Sequence, residues 1–314
     1  MSDLTPAAQR WLARHHGVIT TAVLRSCGVP RSTIERLNCA GVLRSVRRGL
    51  FVISTAPNTL EQRCGILCAA HPGGFVTGPT AGVLAELRRM PRTTSLHFAV
   101  PHGQHHHHLA AGVHFRQTTA LHPSHRVLRS DGIVVARWAR LAFDLAADLS
   151  ALDHLSVLQQ LLHERKVTRE ELVAIDRQLG HPARPGSGRF RRSLERLDGS
   201  APNESHDEVR LAEALRARGI PIESQSRVVR ASNGRTARVD LAVPAVRWGI
   251  ELDIHPEHRT FEGQANGARR IRDLHLLEWQ VEPVTEDDMT DVSAVADQLA
   301  ELYRARCRTH PSAR

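Results

Sequence analysis

Hydrophobic positions along the chain follow two spacings. Near the N-terminus they recur three to four apart. "TPAAQRWLARHH" (5–16) has Thr5 as a cap and Pro6 at the first helical position, which starts a helix. "TTAVLRSC" is a second helix, stopped by Gly28, and "RSTIERLNCAG" a third, entered from Pro30 and ended by Gly41. Two short apolar segments, "VLRSV" and "GLFVIS", then flank "RRG" and predict a basic hairpin. Helix, Gly-containing turn, helix and hairpin is the order of a winged helix-turn-helix.

Residues 59–180 mix both spacings. "TLEQRCGILCAA", "GPTAGVLAEL", "ARLAFDLAADL" and "DHLSVLQQLLHERK" predict helices, and "SLHFAVP", "GVHFRQ" and "GIVVAR" predict short strands. Residues 181–203 carry Pro and Gly at both ends of a short basic helix and read as a linker. Beyond it, "NESHDEVRLAEALRARGI" is helical and "PIESQSRVV" extended. "ANGARRIRDLHLLE", "WQVEPV" and "DVSAVADQLAELYRAR" add a helix, a strand and a helix. The fold class predicted is α/β multidomain: a winged helix-turn-helix at 1–58, a mixed α+β domain at 59–180, a linker at 181–203 and an α/β core at 204–314.

The clearest period-two stretch lies in that last segment, at "RVDLAVPAVRWGIELDIHPEH" (238–258). Asp240, Glu251 and Asp253 alternate with Val239, Leu241, Val243, Ile250, Leu252 and Ile254. Pro244 to Arg247 reads as a turn. Pairing Val243 with Trp248 sets Leu241 against Ile250 and Asp240 against Glu251. Two like charges directly opposite on a sheet repel. Either an arginine, such as Arg238 or Arg259, or a metal ion between them removes the conflict.

Charge and composition narrow the function classes. The chain has 42 Lys+Arg against 33 Asp+Glu, a net charge of +9, and Lys166 is its single lysine. That balance suggests an anionic partner, most simply duplex DNA. Residues 1–58 contain eight arginines (10, 14, 25, 31, 36, 44, 47, 48) and two acids (Asp3, Glu35), so 8 − 2 = +6 of the excess sits in the predicted winged helix. Arg31, Ser32, Thr33 and Arg36 fall on the start and outer face of the third helix, where base edges and phosphates are read. Arg47 and Arg48 fall at the hairpin tip, within reach of the backbone or minor groove. An aromatic content of 4% argues against a stacking platform for single strands.

The five cysteines form no CxxC pair, which speaks against structural zinc. The first residues hold no apolar leader and no run is long enough to span a membrane, so a reduced, cytoplasmic protein is expected. The histidines at 102 and 105–108 lie between two predicted strands and read as an exposed hairpin loop, since a structured metal site takes ligands at helical or strand spacing.

The stretch "HHGVITTAVLRSCGVPRSTIERLNCAGVLRSVRRGLFVI" resembles the N-terminal winged helix of AbiEi-type antitoxins, through its His-Gly step, its Gly before the third helix and its Arg-Gly-aromatic close. The segment after it resembles the mixed domain of the same families, with Arg140 and Asp144 matching an Arg-x-x-x-Asp step. This implies a DNA-binding regulator, with a cognate toxin as a second partner. The C-terminal segment resembles the very-short-patch-repair endonuclease-like branch of PD-(D/E)XK nucleases. Ser205-x-x-Glu208, Gln225, Asp240, Glu251-x-Asp253, His258, Arg270 and Trp279-x-Val281 carry the match.

That resemblance implies a catalytic set of Glu208, Asp240, Glu251, Asp253 and His258, with Asp240 and Glu251 holding Mg2+ or Mn2+. The chain departs from the pattern at three places. Ile254 stands where Gly follows the second carboxylate, Gly267 where Asp opens the later helix motif, and Glu257 in place of a second histidine. Two functions follow from the sequence: a magnesium-dependent DNA endonuclease docked by its winged helix, or an antitoxin-like regulator whose nuclease fold is inactive.

Overall fold

The computed structural model describes residues 4–91, 95–103, 112–119, 121–197, 203, 205–229, 236–253 and 271–310. The chain divides into two compact units, residues 1–149 with 171–187, and residues 150–170 with 188–314. These units do not follow the four segments read from the sequence.

The first unit opens with α1 (Pro6–Arg14), β1 (Val18–Thr20), α2 (Thr21–Ser26), α3 (Arg31–Cys39), β2 (Leu43–Arg47) and β3 (Leu50–Ile53). The Thr5 hydroxyl caps α1 by accepting from Ala8 N–H at 3.3 Å. It also donates to the Cys27 carbonyl at 2.8 Å, tying the start of α1 to the end of α2. The strand β1 has no counterpart in the pattern reading because three residues are too few to show a period. It pairs antiparallel with β3, Val18 opposite Val52, and the sheet order is β1-β3-β2. Arg48 and Gly49 turn the hairpin, with Gly49 at φ +78°, a conformation glycine adopts without penalty. Leu12, Ile19, Leu24, Ile34, Leu37, Leu43 and Phe51 form the core beneath.

The unit continues with α4 (Leu60–Ala70), β4 (Phe75–Val76), α5 (Gly78–Leu84), β5 (Leu96–Pro101), β6 (Val113–Thr118), β7 (Arg126–Leu128), β8 (Val134–Ala136) and α6 (Trp138–Leu145). The outer face of β1 and β3 packs on α4 through Val18, Leu50, Val52 and Ala70. Polar contacts fix the same junction. Gln62 donates to the His16 carbonyl at 3.0 Å, Arg14 to the Ser130 carbonyl at 2.7 Å, and His16 Nε2 lies 3.0 Å from Asp131 Oδ2. Burial works against an ionised Asp131, but the bonds from His16, the Ile133 N–H and Arg129 outweigh it and hold that carboxyl below its usual range.

The five-stranded sheet has order β6-β5-β4-β8-β7. Strands β5 and β6 are parallel, Leu96 opposite Val113 through Pro101 opposite Thr118. The connection carrying the histidine run is therefore not a hairpin, because parallel strands joined in sequence need a crossover. His105 to His108 themselves lie outside the described residues.

The second unit contains α7 (Ala151–His163), most of α9 (Ser187–Glu195) and α10 (His206–Arg216). It continues with β9 (Glu223–Val229), β10 (Thr236–Val243), β11 (Trp248–Asp253), β12 (Gln280–Thr285) and α11 (Val292–Thr309). Helix α8 (Arg169–Leu179) begins in this unit and ends in the first. The segment expected to be a linker contributes packing: Phe190 is fully buried, and His154 Nδ1 lies 2.9 Å from Ser193 Oγ. The sheet order is β12-β11-β10-β9, with β10 antiparallel to both neighbours and β12 parallel to β11. Val243 pairs with Trp248 and Leu241 with Ile250, the register that alternation predicts. Leu211, Leu215, Leu241, Val243, Trp248, Ile250 and Leu299 form one core.

Val239 and Ala242 share a second cluster with Leu274, Trp279 and Val281. Two positions three apart cannot face the same side of a regular strand, so the alternation breaks at Asp240. Gly249 opposite accommodates this, because a Cβ there would sit 2.7 Å from Val239 Cγ1.

Cys64 and Cys68, one turn apart in α4, give a test of this packing. Burial pushes their thiols up to about 12 and about 11. Unfolded thiols ionise near about 8.5. The stability these groups contribute is therefore fully present below that pH and is lost as pH rises toward 11 to 12. We expect the melting temperature to fall over that window, less steeply for the Cys64→Ala, Cys68→Ala double variant. An alkylating reagent near neutral pH should modify exposed Cys39 well before half-buried Cys68 and should spare buried Cys64. Equal labelling of all three would show that α4 is not packed as described.

Candidate nucleic-acid interface and buried carboxylates

Helix α3 is amphipathic. Ile34 and Leu37 point into the core, while Arg31, Ser32, Glu35 and Arg36 are exposed and Thr33 is half-buried. Arg31 Nε donates to Glu35 Oε1 at 2.8 Å one turn along. That hydrogen bond and the carboxylate charge raise the Arg31 pKa above its ordinary value. Arg48 is exposed at the hairpin turn, whereas Arg47, the last residue of β2, donates through Nη1 to the Ala70 carbonyl at 2.8 Å. Its guanidinium thus braces the C-terminal end of α4, a contact between residues 23 positions apart with no local signal.

In the second unit, Ser205 caps α10 by accepting from Glu208 N–H at 3.1 Å. The Glu208 side chain is buried, and its Oε2 accepts from Gln225 Nε2 at 2.7 Å. Gln225 is itself buried and sits at φ +53°, a conformation uncommon for a residue with a side chain. In strand register Asp240 follows Leu241 toward Glu251. Instead of a regular bridge there, Asp240 Oδ2 accepts from Leu252 N–H at 3.0 Å, while Glu251 is buried.

Glu208, Asp240 and Glu251 therefore come from α10 and the neighbouring strands β10 and β11 of the second unit. Asp253 ends β11 with its side chain outside the description, and His258, Arg259, Gly267 and Arg270 also lie outside the described residues. Among the described residues, no three His, Cys, Asp or Glu side chains are grouped so as to hold a metal ion.

A polar network in the first unit is larger than sequence reasoning anticipated. Arg140 and Asp144 do pair, Nε to Oδ2 at 2.9 Å, but both are buried. Thr77 Oγ1 donates to the same Asp144 oxygen at 2.6 Å, and Arg116 donates to the Asp144 carbonyl at 3.0 Å. Arg116 Nη2 also contacts both Asp148 oxygens, at 2.6 and 2.5 Å. Arg140 Nη1 lies 3.3 Å from His125 Nδ1. A guanidinium can only donate, so Nδ1 accepts and the ring proton on Nε2 goes to Gln178 Oε1, 3.0 Å away. Only the Arg-x-x-x-Asp step was visible beforehand; Thr77, Arg116 and His125 lie far from it in sequence and carry no local signal.

Residues 7–54 match the family described as "Transcriptional regulator, AbiEi antitoxin", so the N-terminal region is AbiEi-like. Two proteins of Mycobacterium tuberculosis, "Uncharacterized protein MT2308" (strain CDC 1551 / Oshkosh) and "Uncharacterized protein Rv2248" (strain H37Rv), are each 28% identical over 213 residues. That stretch is 64% of this chain and 74% of each relative. The crystal structure of RV2827C protein from the same organism is 18% identical with a TM-score of 0.38. It covers 61% of this chain and 80% of that one, a likeness too slight to fix the fold. No helix among the described residues is long and apolar enough to cross a membrane.

The Glu208–Gln225 bond has a measurable consequence. Glu208→Ala removes the acceptor of a buried amide, which costs about 1–3 kcal/mol. A denaturation curve should show that loss. A change within about half a kcal/mol, typical of surface sites, would show that the pair is not part of the fold.

Proposed function

We propose that the chain is a DNA-binding transcriptional regulator of the antitoxin type, with a cognate toxin as its protein partner and the cytoplasm as its place of action. In this reading residues 1–58 are a winged helix-turn-helix whose α3 enters the major groove. One observation carries it: the AbiEi-matching region has the element order α-β-α-α-β-β, with Arg31, Ser32 and Arg36 on the solvent side of its third helix and its apolar residues inward. Arg48 at the hairpin turn suits a phosphate, while Arg47 reaches DNA only by giving up its bond to α4.

Duplex binding by the full chain should weaken linearly in log–log salt plots, as counterion release requires. The Arg31→Ala, Arg36→Ala variant should lose about 2–5 kcal/mol of binding if each side chain makes a good contact. Binding as tight as wild type at physiological salt would remove the assignment.

A second reading is favoured by the carboxylates of the C-terminal unit. Here the α10-β9-β10-β11-β12-α11 layer is a PD-(D/E)XK core, and the protein is an endonuclease acting on the DNA it docks. Its support is the burial of Glu208 and Glu251 in the unit that also carries Asp240. Asp240 and Glu251 are hard oxygen donors of the kind magnesium or manganese takes. A bound metal supplies a water acidic enough to ionise near neutral pH. Asp253 and His258 are the remaining residues of that set.

Melting curves of wild type and Asp240→Asn, each with and without manganese, test this reading. Stabilisation of wild type alone supports the metal site. If neither protein responds to the metal, the endonuclease reading fails and the regulator reading stands alone.

A further inference from the structure

The DNA-facing surface contains one residue that works against DNA binding. Residues 1–58 hold eight arginines and only two acids, Asp3 and Glu35. Asp3 precedes α1, but Glu35 sits in the middle of α3, 62% exposed, one turn beyond the 86% exposed Arg31. A carboxylate on the helix that approaches a phosphate backbone weakens the sequence-independent attraction that drives such binding. Stability does not account for it, since an exposed pair one turn apart contributes little.

Base-edge chemistry does account for it. In the major groove guanine presents two acceptors, O6 and N7, and its partner cytosine presents an amino donor. Arg31 can only donate and ionised Glu35 can only accept. Their 2.8 Å bond engages Arg31 Nε and leaves the Nη1–Nη2 edge as the fork that fits O6 and N7. The bond also favours one orientation of a side chain with many rotamers, which lowers part of the ordering cost of recognition. The second Glu35 oxygen is an acceptor, for which a cytosine amino group is the natural donor in the major groove.

We propose that Glu35 is the specificity-determining residue of α3: it positions Arg31 on a guanine and accepts from a neighbouring cytosine, trading general affinity for recognition of a G·C step. This rests on the DNA-binding reading of residues 1–58. Arg36, exposed on the same helix, supplies attraction that does not depend on sequence.

The test is selection of binding sites from a random duplex pool by the full chain, as wild type, Glu35→Gln and Arg31→Ala. Affinity of each protein for one fixed, unselected duplex is measured alongside. Wild type should enrich a motif containing a guanine with a cytosine beside it. Glu35→Gln, which keeps the size and removes the charge, should bind the unselected duplex several-fold more tightly. Its preference at the cytosine should relax by about tenfold or more, the discrimination one good base contact provides. Arg31→Ala should lose the preference at the guanine. Both positions are exposed, and unchanged melting curves will confirm that the variants fold.

If Glu35→Gln selects the wild-type motif with the cytosine preference intact, the proposal is overturned. If wild type binds duplex DNA but enriches no sequence, the proposal falls while the DNA-binding reading survives. If wild type binds no duplex even at low salt, both fall together.

Discussion

The polar framework of this structure depends on partnering charge that is drawn out of water. A buried ionised group without a partner is far costlier than the net gain from most contacts. The chain meets this in its first unit with the Arg140–Asp144 pair, to which Thr77, Arg116 and His125 are joined. Helix α6 is thereby fixed to the end of β4, to β6 and to the segment before β7. Arginine suits the task because its guanidinium spreads five donors in a plane, so Arg140 reaches Asp144 and His125 at once and Arg116 reaches both oxygens of Asp148. In a chain with one lysine, this versatility supplies contacts that a point charge would not.

The same rule explains the C-terminal layer. Glu208 and Asp240 are drawn inward by their place on amphipathic elements, and the chain answers with an amide for the first and a backbone N–H for the second. Gln225 adopts a left-handed conformation while its amide meets Glu208. Asp240 breaks the strand alternation and takes the Leu252 N–H.

In the N-terminal region the division of labour is between the two sides of one helix. Ile34 and Leu37 anchor α3 in the core, so the outer face is free to carry charge without cost to folding. The polar contacts of Arg14, His16 and Gln62 with neighbouring segments fix this module on the middle of its unit. A protein that docks on DNA through α3 would thus present the rest of that unit in a set orientation.

Much of the local structure was legible in the sequence. Thr5 caps its helix as the pattern predicts, Gly49 turns the hairpin, and period two set the register of Val243 with Trp248. These features depend on residues a few positions apart, and short-range sterics and hydrogen bonding decide them. Tertiary structure alone decided that β5 and β6 run parallel, that Arg47 braces α4, and that the Arg140–Asp144 step is buried rather than a surface pair. It also decided that Asp240 and Glu251 do not simply face each other across a regular ladder. Each of these joins residues distant in sequence or turns on how strands stack. Periodicity records which side of an element is apolar, but not which other element will cover it.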